Sequence, residues 1–179
     1  MEVTTRLATV DDAEAIALAH TRAWQRAYRG IVNADFLDNI NLDERVERWR
    51  ENLLKVRVPE GVPDPTDYVA EVDGNVVGFA NVGVWRQAPD DATLAELWAM
   101  YVHPDHWGTG AGHALMGATI EQFHRVGAHT AFLWVLEDNA RARRFYERQG
   151  WQVDPVTQEE QIAGDIIIER RYSITLGEK

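Results

Sequence analysis

Trp107-Gly108-Thr109-Gly110-Ala111-Gly112 sets three glycines at alternate positions, and His113-Ala114-Leu115-Met116 follows directly. Glycine lacks a Cβ, so the backbone N–H groups of such a turn can converge on one point without obstruction. The apolar spacing after Gly112 predicts a helix, whose unpaired first amides and positive dipole end add to that point. The chemistry on offer is the binding of a diphosphate. The same glycines would also permit an ordinary tight turn, but a place after a strand and before a helix favours the anion site. A dinucleotide fold would show G-x-G-x-x-G after its first strand, with an acidic residue about 20 positions further on. This turn reads G-x-G-x-G in mid-chain with no such acid, and no G-K-[ST] follows to make a P-loop. The diphosphate of coenzyme A is what remains. His103 and His106, with Pro104 and Asp105 between them, lack a third ligand placed by the sequence, so no metal is expected.

The elements around the turn must carry it. Val3 to Leu7 reads as a strand, and Ile16, His20, Ala23, Trp24, Ala27 and Tyr28 recur at helical spacing up to a stop at Gly30. A second helix opens near Asn41, with Asp43 and Glu44 in its first turn. Pro59, Pro63 and Pro65 then predict a surface loop. Tyr68 to Val72 and Val76 to Val84 flank Asp73-Gly74-Asn75 and predict a hairpin, because Asp-Gly readily takes positive φ. Leu94 to Val102 reads as a long strand into the glycine turn, Gly112 to Val126 as a helix, and Thr130 to Val135 as a strand buried on both faces. Asn139 to Gln149 reads as a helix closed by Gly150, and Trp151 to Thr157 and Ile166 to Thr175 as two last strands. The expected class is α/β with a mixed α+β sheet of about six to seven strands and helices on both faces, in one domain over residues 1–179. The section from Leu94 to Val135 should be a right-handed parallel crossover, with its glycines at the carboxyl end of a strand, where open sheets bind ligands.

The glycine turn resembles the diphosphate motif R/Q-x-x-G-x-G/A of the GNAT superfamily of acyl-CoA-dependent N-acetyltransferases, with Trp107 standing where that family has Arg or Gln. A second stretch, Asn139-Ala140-Arg141-Ala142-Arg143-Arg144-Phe145-Tyr146 before Gly150-Trp151, is similar to the family's Asn, its Tyr seven residues on, and its Gly-aromatic pair. Trp24-Gln25-Arg26-Ala27-Tyr28-Arg29-Gly30 resembles small bacterial members. The resemblance implies a GNAT-like fold and acetyl-CoA as co-substrate. It implies diphosphate binding by Trp107, Gly108, Thr109, Gly110, Ala111 and Gly112, and pantetheine binding along Met100, Tyr101 and Val102. Asn139 and Tyr146 would face the same molecule.

Acetyl transfer to an amine needs a neutral nucleophile, a polarised thioester carbonyl and a proton for the departing thiolate. Tyr146, with an ordinary pKa near 10 against a thiol's 8.5, holds that proton at neutral pH and is the expected acid. The resemblance makes Glu96 a candidate base, acting directly or through water; a surface carboxylate is the plain alternative. A backbone N–H near Tyr101 would polarise the carbonyl. Trp24, Tyr28, Trp85 and Trp98 could line an acceptor pocket or simply pack in the core. Arg141, Arg143 and Arg144 could reach a phosphate or stand paired on the surface.

Composition bounds the partners. A formal net charge of −11, from 18 basic against 29 acidic residues, excludes nucleic acid as the expected partner and mildly favours a cationic acceptor. With Cys 0 there is no disulfide framework and no cysteine nucleophile, so the cytoplasm is the expected compartment and direct attack in a ternary complex the expected route. No signal peptide or membrane span is read. The expected partners are a small-molecule or peptide amine and, as an option, a second copy of the chain in a homodimer. The competing reading is a CoA-binding regulatory module without turnover.

Overall fold

The computed structural model describes residues 2–55 and 65–177. The loop expected through Pro59 and Pro63 lies outside the described residues. The chain forms β1 (Val3–Leu7), α1 (Ala13–Ala27), a short α2 (Ala34–Asp38) and α3 (Leu42–Leu54). Then come β2 (Thr66–Val72), β3 (Asn75–Val84), β4 (Leu94–Val102), α4 (Ala111–Arg125), β5 (Thr130–Leu136), α5 (Ala140–Arg148), β6 (Gln152–Ile162) and β7 (Asp165–Thr175). All seven strands join one sheet in the order β1-β2-β3-β4-β5-β7-β6. Every neighbouring pair is antiparallel except β4 and β5. That one parallel pair follows from the α4 crossover, since a parallel connection must travel back along the sheet.

The period-2 alternation of the strands distributes the core to two faces. Tyr68, Ala70 and Val72 turn toward Leu115, Met116 and Phe123 of α4, and Tyr146 of α5 joins the same cluster. Val69 and Phe79 turn the other way, onto Ile16 and Ala17 of α1 and Val46 and Trp49 of α3. Helices thus cover both faces, in agreement with the expected class.

Local chemistry sets the turns. Asp73 and Gly74 take φ values of 49° and 79°, as a primed hairpin turn requires. A second hairpin turns through Ala163 and Gly164, at 54° and 90°. The sequence pattern predicts this strand only as far as Thr157, because Gln158-Glu159-Glu160-Gln161 is poor strand material. Pairing of Glu159↔Ile168 and Glu160↔Ile167 carries the strand on to Ile162. Helix α2 also went unread: five residues are too few for a periodic signal, and it is held by Asn33, whose Oδ1 accepts from the Phe36 amide at 3.1 Å. The expectation that β5 is buried on both faces holds for one. Ala131, Leu133 and Val135 are buried, while Phe132 and Trp134 are only half-buried on the opposite side.

The strand that leads into the glycine turn is held close against β3. A Cβ built on Gly78 would stand 2.7 Å from the Tyr101 carbonyl oxygen and 3.1 Å from Val102 Cα, both backbone atoms with no rotamer to yield. Gly78→Ala is therefore expected to force β4 aside and to cost about 1–3 kcal/mol. At this chain length that is a fall of roughly 2–12 °C in Tm, and an unchanged thermal melt would contradict the packing described.

Candidate active site

The β4–β5 ladder runs only from Leu94↔Thr130 to Leu97↔Leu133. Beyond it β4 stays with β3 as far as Val102, and β5 stays with β7 as far as Leu136, so the two strands part at their carboxyl ends. A bulge marks the divergence: Asn81 pairs with Ala99 and Val82 with Leu97, which leaves Trp98 unopposed. The opening is a cleft of about 1150 Å³. It is lined by the edge of β4 from Glu96 to Val102, the glycine turn, the inner face of α5, the end of α1, and side chains from β5, β6 and β7.

One end of the cleft is the glycine turn. Gly108 and Gly110 have φ values of 84° and 99°, which only glycine adopts readily, and Gly110 is the N-cap of α4. Ala114 N–H donates to Gly110 O at 2.9 Å, so the amides of Gly112 and His113 precede the helix's own hydrogen bonds. Around the turn a Cβ at Gly108 would meet nothing within 4 Å, and one at Gly110 only Val3 Cγ2 at 4.0 Å. This open, amide-lined concavity fits a diphosphate. Met100, Tyr101, Val102, Trp107, Gly108, Gly110 and Gly112 all line the cleft. Thr109 and Ala111 do not. Thr109 Oγ1 donates to His106 O at 2.8 Å and accepts from Ala111 N at 3.4 Å, while the Ala111 side chain is buried in the core, so both shape the turn from behind.

Helix α5 forms the opposite wall. Asn139 is its N-cap, its Oδ1 accepting from Ala142 N–H at 3.1 Å, and Tyr146 follows two turns later; both line the cleft. Tyr146 is 8% exposed and packs edge-on to Phe145 and Trp151. Burial, with Tyr101 acting in the same sense, pushes its phenol well above the ordinary tyrosine range. The group is therefore a protonated phenol at neutral pH.

Glu96 sits at the other end, where β4 and β5 are still paired, and is 1% exposed. Arg86 holds it: Arg86 Nε lies 3.0 and 3.1 Å from the two carboxylate oxygens, Nη2 makes a closer contact to Oε1, and the Arg86 backbone N–H donates to Oε2 at 3.1 Å. Two further carboxylates, Glu160 and Glu169, line this end from β6 and β7. Gln158 Nε2 donates to Glu169 at 2.7 Å. Burial above all, helped by Glu160 and Glu96, raises the Glu169 carboxyl, against the Gln158 hydrogen bond and Arg86.

Between the two ends stand the aromatics. Tyr28 and Tyr101 share an O–H···O hydrogen bond of 2.9 Å, and His20 stacks on Tyr101 at 4.7 Å. Burial, with Arg45 and Arg48 nearby, holds His20 down to about 3, so it packs as a neutral ring. Trp24, Tyr28 and Trp98 line the cleft, Trp98 with its Nε1 donating to Val84 O at 3.1 Å. Trp85 is not among the lining residues: it is buried against Phe132, ring centroids 4.3 Å apart. Of the three α5 arginines considered, Arg141 and Arg144 line the cleft. Arg143 turns to Tyr172 Oη at 3.0 Å and Glu137 O at 3.1 Å. Among the described residues no group of three or more His, Cys, Asp or Glu gathers as a metal site.

Arg86, Trp134, Gln158, Glu160 and Glu169 escaped the sequence reading. None belongs to a motif: Trp134, Gln158, Glu160 and Glu169 reach the cleft only because β5, β7 and β6 pair side by side, and Arg86 comes from the loop between β3 and β4 to meet Glu96. Glu160 and Glu169 come to one face only through the β6–β7 register, which sets Gln158 opposite Glu169 and Glu160 opposite Ile167.

Residues 20–151 match the family described as Acetyltransferase (GNAT) family. The chain is similar to the uncharacterized N-acetyltransferase YuaI of Bacillus subtilis, at 33% identity over 138 residues, 76% of this chain and 73% of that one. It is also 33% identical over 85 residues to the L-methionine sulfoximine/L-methionine sulfone acetyltransferase of Salmonella typhimurium, 48% of this chain and 49% of that protein. Its fold is that of yncA from Salmonella typhimurium, solved with acetyl-CoA: TM-score 0.71 at 23% identity, over 100% of this chain and 96% of that one. A strand pair that splays beside an amide-lined glycine turn, in a sequence matched along most of its length, places this chain in the GNAT family of N-acetyltransferases.

Proposed function

We propose that the protein transfers an acetyl group from acetyl-CoA to a primary amine, the amine attacking directly while both are bound. The observation that carries this reading is the cleft itself, which is lined by an amide-bearing glycine turn, by three carboxylates and, on its α5 wall, by a buried phenol. Acetyl-CoA, when bound, supplies an acetyl group activated as a thioester. The amides of Gly108, Gly110, Gly112 and His113 hold the diphosphate, and the free edge of β4 at Met100–Val102 takes the pantetheine arm. As the C–N bond forms and the C–S bond breaks, Tyr146 gives its proton to the sulfur and is reprotonated from solvent. The amine's own proton leaves toward the carboxylates, with Glu96 as the group nearest the paired base of the cleft. Glu96 is neutralised by Arg86, so Glu160 and Glu169 leave that end with net negative charge, which favours a cationic acceptor.

The experiment is a screen of free CoA release with acetyl-CoA and a panel of diamines, polyamines, amino acids and peptide amino termini. Acceptor-dependent release is expected. A protein that binds acetyl-CoA, judged by a raised Tm, yet gives no CoA release with any amine of the panel would instead be a CoA-binding module without turnover.

If Glu96 relays the proton, Glu96→Gln should lower turnover by about tenfold or more near neutral pH. The deficit should shrink as pH rises toward an ammonium's ordinary pKa near 10.4 and more amine is already neutral. Acetyl-CoA affinity should hold. A pH–rate profile superimposable on the wild type's from about pH 6 to 10 would leave Glu96 only its ion pair with Arg86.

A further inference from the structure

We propose that Arg141, carried on the face of Trp107, is a diphosphate-binding residue of the cleft. The inference rests on the acyl-CoA reading above and adds a side-chain contact to its backbone amides. The Arg141 guanidinium lies 3.8 Å from the centroid of the Trp107 ring, a close cation–π contact. Trp107 is itself fixed, its Nε1 donating to Val102 O at 2.8 Å, and it is the residue immediately before Gly108. The stack therefore parks a positive charge beside the first glycine of the turn, and both residues line the cleft.

Nothing else in the fold accounts for that charge. Arg141 is the second residue of α5, at the positive end of a helix whose first turn has no acidic residue, where a cation is unfavourable. Arg143, in the same turn, is accounted for by Tyr172 and the Glu137 carbonyl. Among the described residues Arg141 has no carboxylate within ion-pair distance, in a chain with 29 acidic residues to choose from. Partial burial, and then its neighbour Arg144, lower its proton affinity, in the sense expected of a cation without a counter-ion. An anion in the cleft would satisfy all of this. An arginine held flat on an indole is already oriented, so it loses little freedom on meeting a phosphate.

The test is calorimetry of CoA and 3′-dephospho-CoA against wild type, Arg141→Gln, Trp107→Leu and the double variant. Arg141 is exposed and should be replaceable without loss of fold. Arg141→Gln is expected to weaken both ligands about tenfold to a hundredfold, the range of a charge-assisted hydrogen bond. Trp107→Leu should weaken them through the same contact, so that the double variant loses less than the product of the two single losses. S-acetylpantetheine, which has no phosphate, should be turned over equally by wild type and Arg141→Gln. Wild-type affinity in Arg141→Gln overturns the proposal, as does a loss that extends to S-acetylpantetheine. A loss seen with CoA but not with 3′-dephospho-CoA overturns it too, by moving the contact to the 3′-phosphate. Should Trp107→Leu fail to fold, the Arg141→Gln arms decide alone. If wild type itself binds no CoA, it is the acyl-CoA reading that fails, and the two failures are distinguishable.

Discussion

Gly110→Asp should abolish acetyl-CoA binding at ordinary concentrations. Two penalties act together. Gly110 has φ of 99°, outside the region an L-residue takes comfortably, so any side chain strains the cap of α4. The added carboxylate would also stand beside the diphosphate. At about 5 Å with an effective dielectric near 20 the repulsion is about 3 kcal/mol per charge, or about a hundredfold in affinity. Steric conflict within the protein is not the cause. A Cβ at Gly110 approaches only Val3 Cγ2, at 4.0 Å, so the obstruction a sequence argument would invoke is directed at the ligand and the backbone rather than the core. Gly110→Asn separates the terms, because Asn tolerates the left-handed region better and carries no charge. Calorimetry should show the Asp variant much weaker than the Asn variant. Equal affinities would remove the diphosphate from this turn.

Tyr146→Phe should lower kcat by about tenfold to 10⁴-fold while acetyl-CoA affinity stays near wild type, since the change deletes only the hydroxyl. The proton balance has a condition. With ordinary values near 10 for the phenol and 8.5 for a thiol, complete transfer to a thiolate in water is uphill by about 2 kcal/mol. Burial raises Tyr146 further. The transfer is workable because the sulfur leaves into the same water-poor cleft, where burial penalises the thiolate as it penalises the phenolate. The acid therefore stays protonated across the working range, and the wild-type rate should show no fall from Tyr146 ionisation at pH 10. Full kcat in the Phe variant with saturating acceptor would mean that solvent protonates the sulfur.

Much of the cofactor half of the cleft was legible in the sequence. Leu94–Val102, the glycines, and the Asn139–Tyr146 helix are contiguous segments whose chemistry is local: positive φ at glycine, a capping Asn, and a helix repeat that puts residues seven apart on one face. The amide site needs no distant partner to exist. Composition adds only an expectation about the partner, 29 acidic residues against 18 basic ones favouring a cationic acceptor over nucleic acid.

The acceptor half is a matter of tertiary structure. Glu160 and Glu169 lie in stretches with no motif, and β6 was read as ending before the first of them. They meet Glu96 only because β7 inserts between β5 and β6 and sets Gln158 opposite Glu169. Glu96 itself was visible as a strand carboxylate, but Arg86, ten residues earlier, decides whether it stands free or paired. The fates of Trp85 and Trp98 likewise separate on packing alone, one buried against a tilted Phe132 ring and one beside Gly83 at the cleft wall. Sequence determines what depends on neighbours along the chain. Register, strand order and the splay of β4 from β5 depend on which surfaces can be buried together, and those choices put carboxylates from three strands, β4, β6 and β7, into one cleft.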